Sequence, residues 1–199
     1  MARLTLTTSL RPALTCIVFA GLIWTTRTAD ADAITITTTS DSVSGDGLCS
    51  LREAIIAANT DLGVDACPAG AGADTISLPA GLYTLTLPGR GEYLSATGDL
   101  DISADLTLVG AGAATTTIDG AGLDRVLEIQ AGAAAQISGV TIAYGDGDVE
   151  DGGGVYVNGG QLTLTSSVVR DNHGQNGGGV RVARTYFKTL FRVSIAQAR

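Results

Sequence analysis

The sequence predicts an all-β fold: a right-handed parallel β-helix, a three-sided solenoid of about four to five coils, with a short N-terminal α-helical cap. Three observations point to it. Glycine supplies 27 of the 199 residues and lysine occurs once, at Lys188, so turns and short strands outweigh long helices. Apolar-x-apolar triplets recur at a near-constant step along residues 76–182. Ahead of them, a helix-capping signature sits between the only two cysteines that follow the N-terminal apolar stretch.

Composition narrows the function classes. The apolar share of 45% can build a core, which argues against general disorder. The net charge of −8 argues against nucleic acid and anionic membrane as partners, because both need a basic footprint. No apolar run approaches the ~20 residues of a membrane-spanning helix, so no transmembrane segment is expected in the mature chain.

Residues 1–33 read as a secretory signal. Arg3 and Arg11 supply the positive start, Ala13 to Trp24 the short apolar stretch, and Ala31-Asp32-Ala33 the small residues a signal peptidase reads. Cleavage is expected after Ala33, with Ala31 as the alternative. Cys16 lies inside the apolar stretch rather than at its end, which argues against lipid attachment. Cys49 and Cys67 then remain in an exported chain, where two cysteines are expected to oxidise to a disulfide. Closing that loop would contribute roughly 3 kcal/mol.

Residues 34–70 form the predicted N-terminal cap. Ile34-Thr-Ile36 suits a strand. Ser50-Leu-Arg-Glu53 is a capping box opening a helix over about 51–61, with Leu51, Ile55 and Ala58 on one face. Such a helix would shield the exposed strand edges and core at the start of a solenoid.

Residues 71–182 carry the coils. One series runs Ile76-x-Leu78, Leu100-x-Ile102, Leu127-x-Ile129, Val155-x-Val157, Val180-x-Val182, with steps of 24, 27, 28 and 25. A second runs Leu85-x-Leu87, Leu106-x-Leu108, Ala135-x-Ile137, Leu162-x-Leu164, and a third Ile118, Ile142, Val169. Three series sharing one period describe a three-sided coil; a β-sandwich does not predict that shared register. Alternation along a strand turns the outer residues of each triplet inward and the middle one to solvent. A right-handed sense follows from the general rule for parallel crossovers.

The run Cys49-Ser-Leu-Arg-Glu-Ala-Ile55, followed by Ala57-Ala58-Asn59, resembles the CSLREA domain of bacterial exported β-helix proteins. The Gly-Gly-Gly-Val units at 152–155 and 177–180, with Val169-Arg-Asp-Asn172 between them, resemble the repeats of chlamydial polymorphic outer membrane proteins, with Gly for Ala and Val for Phe. The resemblance implies an exported location, in the medium or at the cell surface or outer membrane, and a role in surface display or adhesion. Proteins of this kind are often labelled as pectate lyases, which describes their fold better than their chemistry.

Residues 183–199 depart from this pattern. From 181 onward there are five basic residues and no acidic one, whereas 34–180 holds 4 basic and 18 acidic. The turn glycines stop, and the triplet expected at about 187–193 is met only nearly, by Phe191-x-Val193. Two readings fit: a C-terminal amphipathic helix covering the stack, or a tail read out of frame in a truncated gene. The second is preferred. It predicts a coil begun at Val180 and left unfinished, with an open edge that favours end-to-end self-association.

The site search rests on solvent-facing positions. In the first series these are Ser77, Asp101, Glu128, Tyr156 and Arg181. Asp101 and Glu128 should stack one coil apart, near the ~5–5.5 Å of a retaining glycosidase pair, with Arg125 as base or clamp. They could equally hold Ca²⁺, or form part of an ordinary solvated face, which is the preferred reading. The second series gives Thr86, Thr107, Gln136 and Thr163, a ladder read as structural. Asp146, Asp148, Glu150 and Asp151 form an acidic loop with oxygen ligands spaced for Ca²⁺, though a solvated loop is the simpler reading. His173, the single histidine, reads as an exposed turn residue. No nucleophile elbow, phosphate loop, zinc spacing or dinucleotide fingerprint is present.

The expectation is therefore an exported, non-catalytic β-helix without a required cofactor. Its partner would be a host or environmental surface, or a polysaccharide. The alternative is a pectate-lyase-like polysaccharide lyase or hydrolase using Asp101, Glu128 and Arg125.

Overall fold

The computed structural model describes residues 33–147, 152–183 and 192–194. The expected signal peptide lies outside these residues apart from Ala33, as does most of the tail. In chain order the elements are β1 Ala33–Thr35, α1 Leu51–Thr60, β2 Asp74–Leu78, β3 Gly81–Thr84, β4 Leu100–Ile102, β5 Leu106–Gly110, β6 Thr116–Asp119 and β7 Leu127–Ile129. They continue with β8 Ala134–Ser138, β9 Thr141–Ala143, β10 Val155–Val157, β11 Gln161–Thr165, β12 Val168–Arg170, β13 Val180–Val182 and β14 Arg192–Ser194.

These strands form three parallel sheets, ordered β1-β2-β5-β8-β11-β14, β4-β7-β10-β13 and β3-β6-β9-β12. We call them the long sheet, the Asp101 sheet and the Tyr83 sheet. From β2 onward consecutive strands belong to different sheets, so the chain winds as a three-sided parallel β-solenoid of about four turns. The apolar residues of each series stack in the interior: Leu100 on Leu127 on Val155 on Val180, and Leu108 on Ile137 on Leu164. Most of these side chains are buried, each contributing on the order of 1.5–3 kcal/mol. No helix among the described residues is long and apolar enough to cross a membrane.

The first coil corrects part of the expected assignment. Ile76-x-Leu78 does not precede Leu100 in the Asp101 sheet; β2 pairs with β5, placing Ile76 on Leu108. Leu85-x-Leu87 does not open the long sheet either; Tyr83 takes the inward place beside Ile118, and Leu85 N–H donates to Asp119 O beyond the end of β3. The reason is α1. The helix packs against β4 and β2, standing where the Asp101 sheet would otherwise have an earlier strand.

The helix begins as its sequence dictates. Ser50 is the N-cap, its hydroxyl accepting from Glu53 N–H while the Glu53 carboxylate accepts from Ser50 N–H. It ends at Asp61, which adopts a left-handed conformation at φ 54°. Leu51, Ala54, Ile55, Ala57 and Ala58 are buried. A disulfide joins Cys49 to Cys67 across the helix.

The opposite end also differs from expectation. Arg192–Ser194 pairs in parallel with β11, setting Val193 beside Leu164. That extends the long sheet past Val182, where an unfinished coil was expected. The physical reason is the near match already noted, since Val193 falls 29 residues after Leu164, a step the second series uses elsewhere.

Candidate functional site

The candidate site grows from the middle positions of β4 and β7. Parallel pairing places Asp101 beside Glu128, and β10 adds Tyr156 to the same row. The sequence places these side chains outward. An outward side chain on a solenoid is normally wetted, yet Asp101 and Glu128 are 0% and 1% exposed. The expected row continues from Tyr156 to Arg181, both half-buried, but the expected solvent exposure fails at Asp101 and Glu128. The ladder also loses Ser77, which pairs with Val109 in the long sheet.

The cause is the long connection from β3 to β4, which folds back over the sheet. Within it Glu92 accepts from Leu94 N–H and Thr97 N–H, closing the loop on itself. Gly98 has φ +61° and packs so closely that a Cβ would overlap Gly89 O. Asp101 then holds the loop down. Its carboxylate accepts from Ser95 N–H at 3.1 Å, and Ser95 Oγ bridges both backbone groups of Asp101. Gln130 Nε2 donates both to Asp101 Oδ1 and to Tyr93 O, each at 3.0 Å.

Arg125 lies beneath, 4% exposed. Its Nε is 2.5 Å from Asp99 Oδ2, and its guanidinium also lies 3.2 Å from Glu128 Oε2. The guanidinium sits 5.4 Å from the centre of the Tyr156 ring. Asn158 Nδ2 donates to Glu128 Oε1 at 3.0 Å. Asp101, Glu128 and Arg125 do converge, with Tyr156 alongside, but as a buried ion-pair network rather than in an open groove.

Two members were not foreseen from the sequence. Asp99 is 1% exposed and completes the network. Arg52, on the first turn of α1, is 0% exposed; it donates to Ser95 O, Gly98 O and Asp99 O and pairs with Asp41. The only signal was its place inside the capping box, which says nothing of a partner some forty residues away.

Burial makes the network electrically uneven. Burial pushes the Asp99 carboxyl up to about 8, against the pull of Arg125 and with further push from Asp101 and Asp124. Asp101 is raised to about 6, again chiefly by burial, opposed by the hydrogen bonds from Gln130 and Ser95. Burial lowers the Arg125 pKa, but Asp99 and Glu128 outweigh it and the net shift is upward. Such a group gathers protons or a cation. Asp99, Asp101 and Glu128 offer one carboxylate oxygen each within 4.8 Å of one another, a spacing one hard cation such as Ca²⁺ can span.

No protein-family model, no curated protein and no solved structure matches this chain.

The remaining expected site residues lie elsewhere. Asp146 accepts from or faces His173 Nδ1 at 3.0 Å, across neighbouring coils, and the His173 side chain is 78% exposed. Asp148, Glu150 and Asp151 lie outside the described residues. Thr107, Gln136 and Thr163 do stack on the long sheet, but their column begins at Thr75 rather than Thr86.

Proposed function

We propose that this is an exported β-solenoid that presents its sheet faces to a host or environmental surface, or to a polysaccharide, and does not cleave what it holds. One observation carries the reading: the acidic pair that could act as a catalytic dyad is enclosed by the β3–β4 connection and bonded throughout. A catalytic carboxylate must touch substrate, and Asp101 touches Ser95 and Gln130 instead. Export is supported by the Cys49–Cys67 disulfide, since such bonds persist in oxidising compartments. The resemblance of 49–59 to the CSLREA domain points the same way.

The buried acidic residues favour one alternative, a polysaccharide lyase or hydrolase. Asp101 with a raised pKa could serve as an acid once the covering connection swings aside. The two readings separate on incubation with polygalacturonate and Ca²⁺, followed by the absorbance of unsaturated products and by reducing-end release. No turnover is expected. Turnover abolished by Asp101→Ala in a folded variant would overturn the non-catalytic reading.

A further inference from the structure

The long sheet has an outer face unlike the rest of the molecule. Its outward positions on β1, β2, β5, β8 and β11 are Ala33, Thr35, Thr75, Ser77, Thr107, Val109, Ala134, Gln136, Ser138, Gln161, Thr163 and Thr165. None of these is charged, in a stretch that carries 18 acidic and 4 basic residues between 34 and 180; charge enters only at the borders, with Asp105 one residue ahead of β5 accepting from Ala134 N–H, and Arg192 of β14 paired beside Thr163. Every one of those uncharged outward positions is exposed or half-buried. The pairing holds one register from β2 to β11, so these groups stand in straight columns. Thr75, Thr107, Gln136 and Thr163 form one column, and Ser77, Val109, Ser138 and Thr165 the next. Strand spacing sets the groups about 4.8 Å apart down a column, and two residues along a strand set the columns about 6.6 Å apart.

The chemistry of the face selects its partner. Polyanions need several lysines or arginines, and β1, β2, β5, β8 and β11 offer none at an outward position; the register adds a single arginine, Arg192, after Thr163 at the end of one column. A protein interface needs aromatic or large apolar anchors at its centre, and Val109 is the largest here. Hydroxyl and carboxamide groups both donate and accept, in a repeating array. An array of that kind suits a polymer that is itself uncharged, repetitive and covered in hydroxyls, because each contact replaces water on both sides. The acidic surroundings would repel a polyuronate and are indifferent to a neutral chain.

We infer that the outer face of the long sheet is a binding surface for an uncharged, insoluble polysaccharide. The inference rests on the non-catalytic glycan-binding reading and narrows its ligand class. The experiment uses the full disulfide-bonded chain. Its depletion from solution is measured over crystalline cellulose, chitin and an insoluble β-glucan, with a polygalacturonate gel as the anionic comparator. Retention on at least one neutral solid, and not on the gel, is expected. Thr107→Lys should weaken that retention by about tenfold or more. Thr117→Lys, the same change at a half-buried outward position of the Tyr83 sheet, should leave it unchanged. Thr163→Lys repeats the test in the same column should Thr107→Lys fail to fold, with melting temperature as the check on both.

Absence of retention on all three neutral solids overturns the inference. So does equal loss in the Thr107 and Thr117 variants. Shaping of ice crystals without retention on any glycan would assign the columns to frozen water instead, and overturn it too. Failure of the underlying reading looks different: it shows as turnover of polygalacturonate, whatever the retention.

Discussion

Arg52 and Asp41 meet through two hydrogen bonds, Nε to Oδ1 at 2.6 Å and a terminal guanidinium nitrogen to Oδ2 at 3.1 Å. Both side chains are almost wholly buried. The same guanidinium takes three carbonyls of the β3–β4 connection, while Asp41 Oδ2 also accepts from Thr86 N–H and Leu87 N–H. One ion pair thus joins the cap helix, the segment before it and the connection that encloses the acidic cluster.

Arg52→Met should lower stability by about 3–5 kcal/mol, because it strands a buried carboxylate and frees three carbonyls. Urea unfolding checks it. The double variant Arg52→Met with Asp41→Leu should recover part of the loss. A stability change below about 1 kcal/mol in the single variant would mean the network carries little.

Stability should fall as pH rises. Asp99 and Asp101 hold their protons more tightly folded than unfolded, so the folded state binds more protons above their ordinary pKa of about 3.9. Their contribution is fully present below that value. It is lost as pH climbs through about 6 for Asp101 and about 8 for Asp99. The urea midpoint should therefore be higher at pH 5 than at pH 8. Asp99→Asn, which cannot ionise, should flatten much of that slope.

Gly153→Ala should destabilise by at least 1–3 kcal/mol, roughly the cost of overpacking. Its Cβ would overlap the carbonyl of His173 on the next coil, which is backbone and cannot yield. The neighbouring Gly154 meets Gly179 O in the same way, so the two Gly-Gly-Gly-Val units are sites where successive coils touch. Gly45→Ala, with open space around it, should change the melting temperature little.

Cys49→Ser should cost about 3 kcal/mol through the lost loop closure. Alkylation of the folded protein without reductant, read by mass spectrometry, should find neither Cys49 nor Cys67 modified. Two alkylated thiols would contradict the disulfide.

The periodic part of the fold was legible because each coil repeats the same local demand. Leu127, Val155 and Val180 each fill the same interior place, and the sequence writes that place out again every 25 to 28 residues. The first coil has a helix in one of its three sides, so the step from Ile76 to Leu100 mimics a full turn without being one. The capping box was readable from four adjacent residues. The burial of Asp101 was not, because it depends on where Ser95 and Gln130 arrive from, and nothing local to Leu-Asp-Ile records that. Arg52 is the same kind of case. Its charge reads as solvated until the carbonyls of Ser95 and Gly98 are brought to it.

The helical lid gives the solenoid a direction. Asn59 on α1 donates to Asp101 O and accepts from Ser103 N–H and Ala104 N–H, occupying an edge of β4 on which another strand would have to form. Growth by repetition is thereby confined to the far side: a duplicated coil can be spliced in after β4 without disturbing that seal, but not before it. A chain emerging N-terminus first would also form this covered edge of β4 before the later turns appear. Each new turn could then settle on a finished template, as rungs added to a ladder whose foot is already fixed.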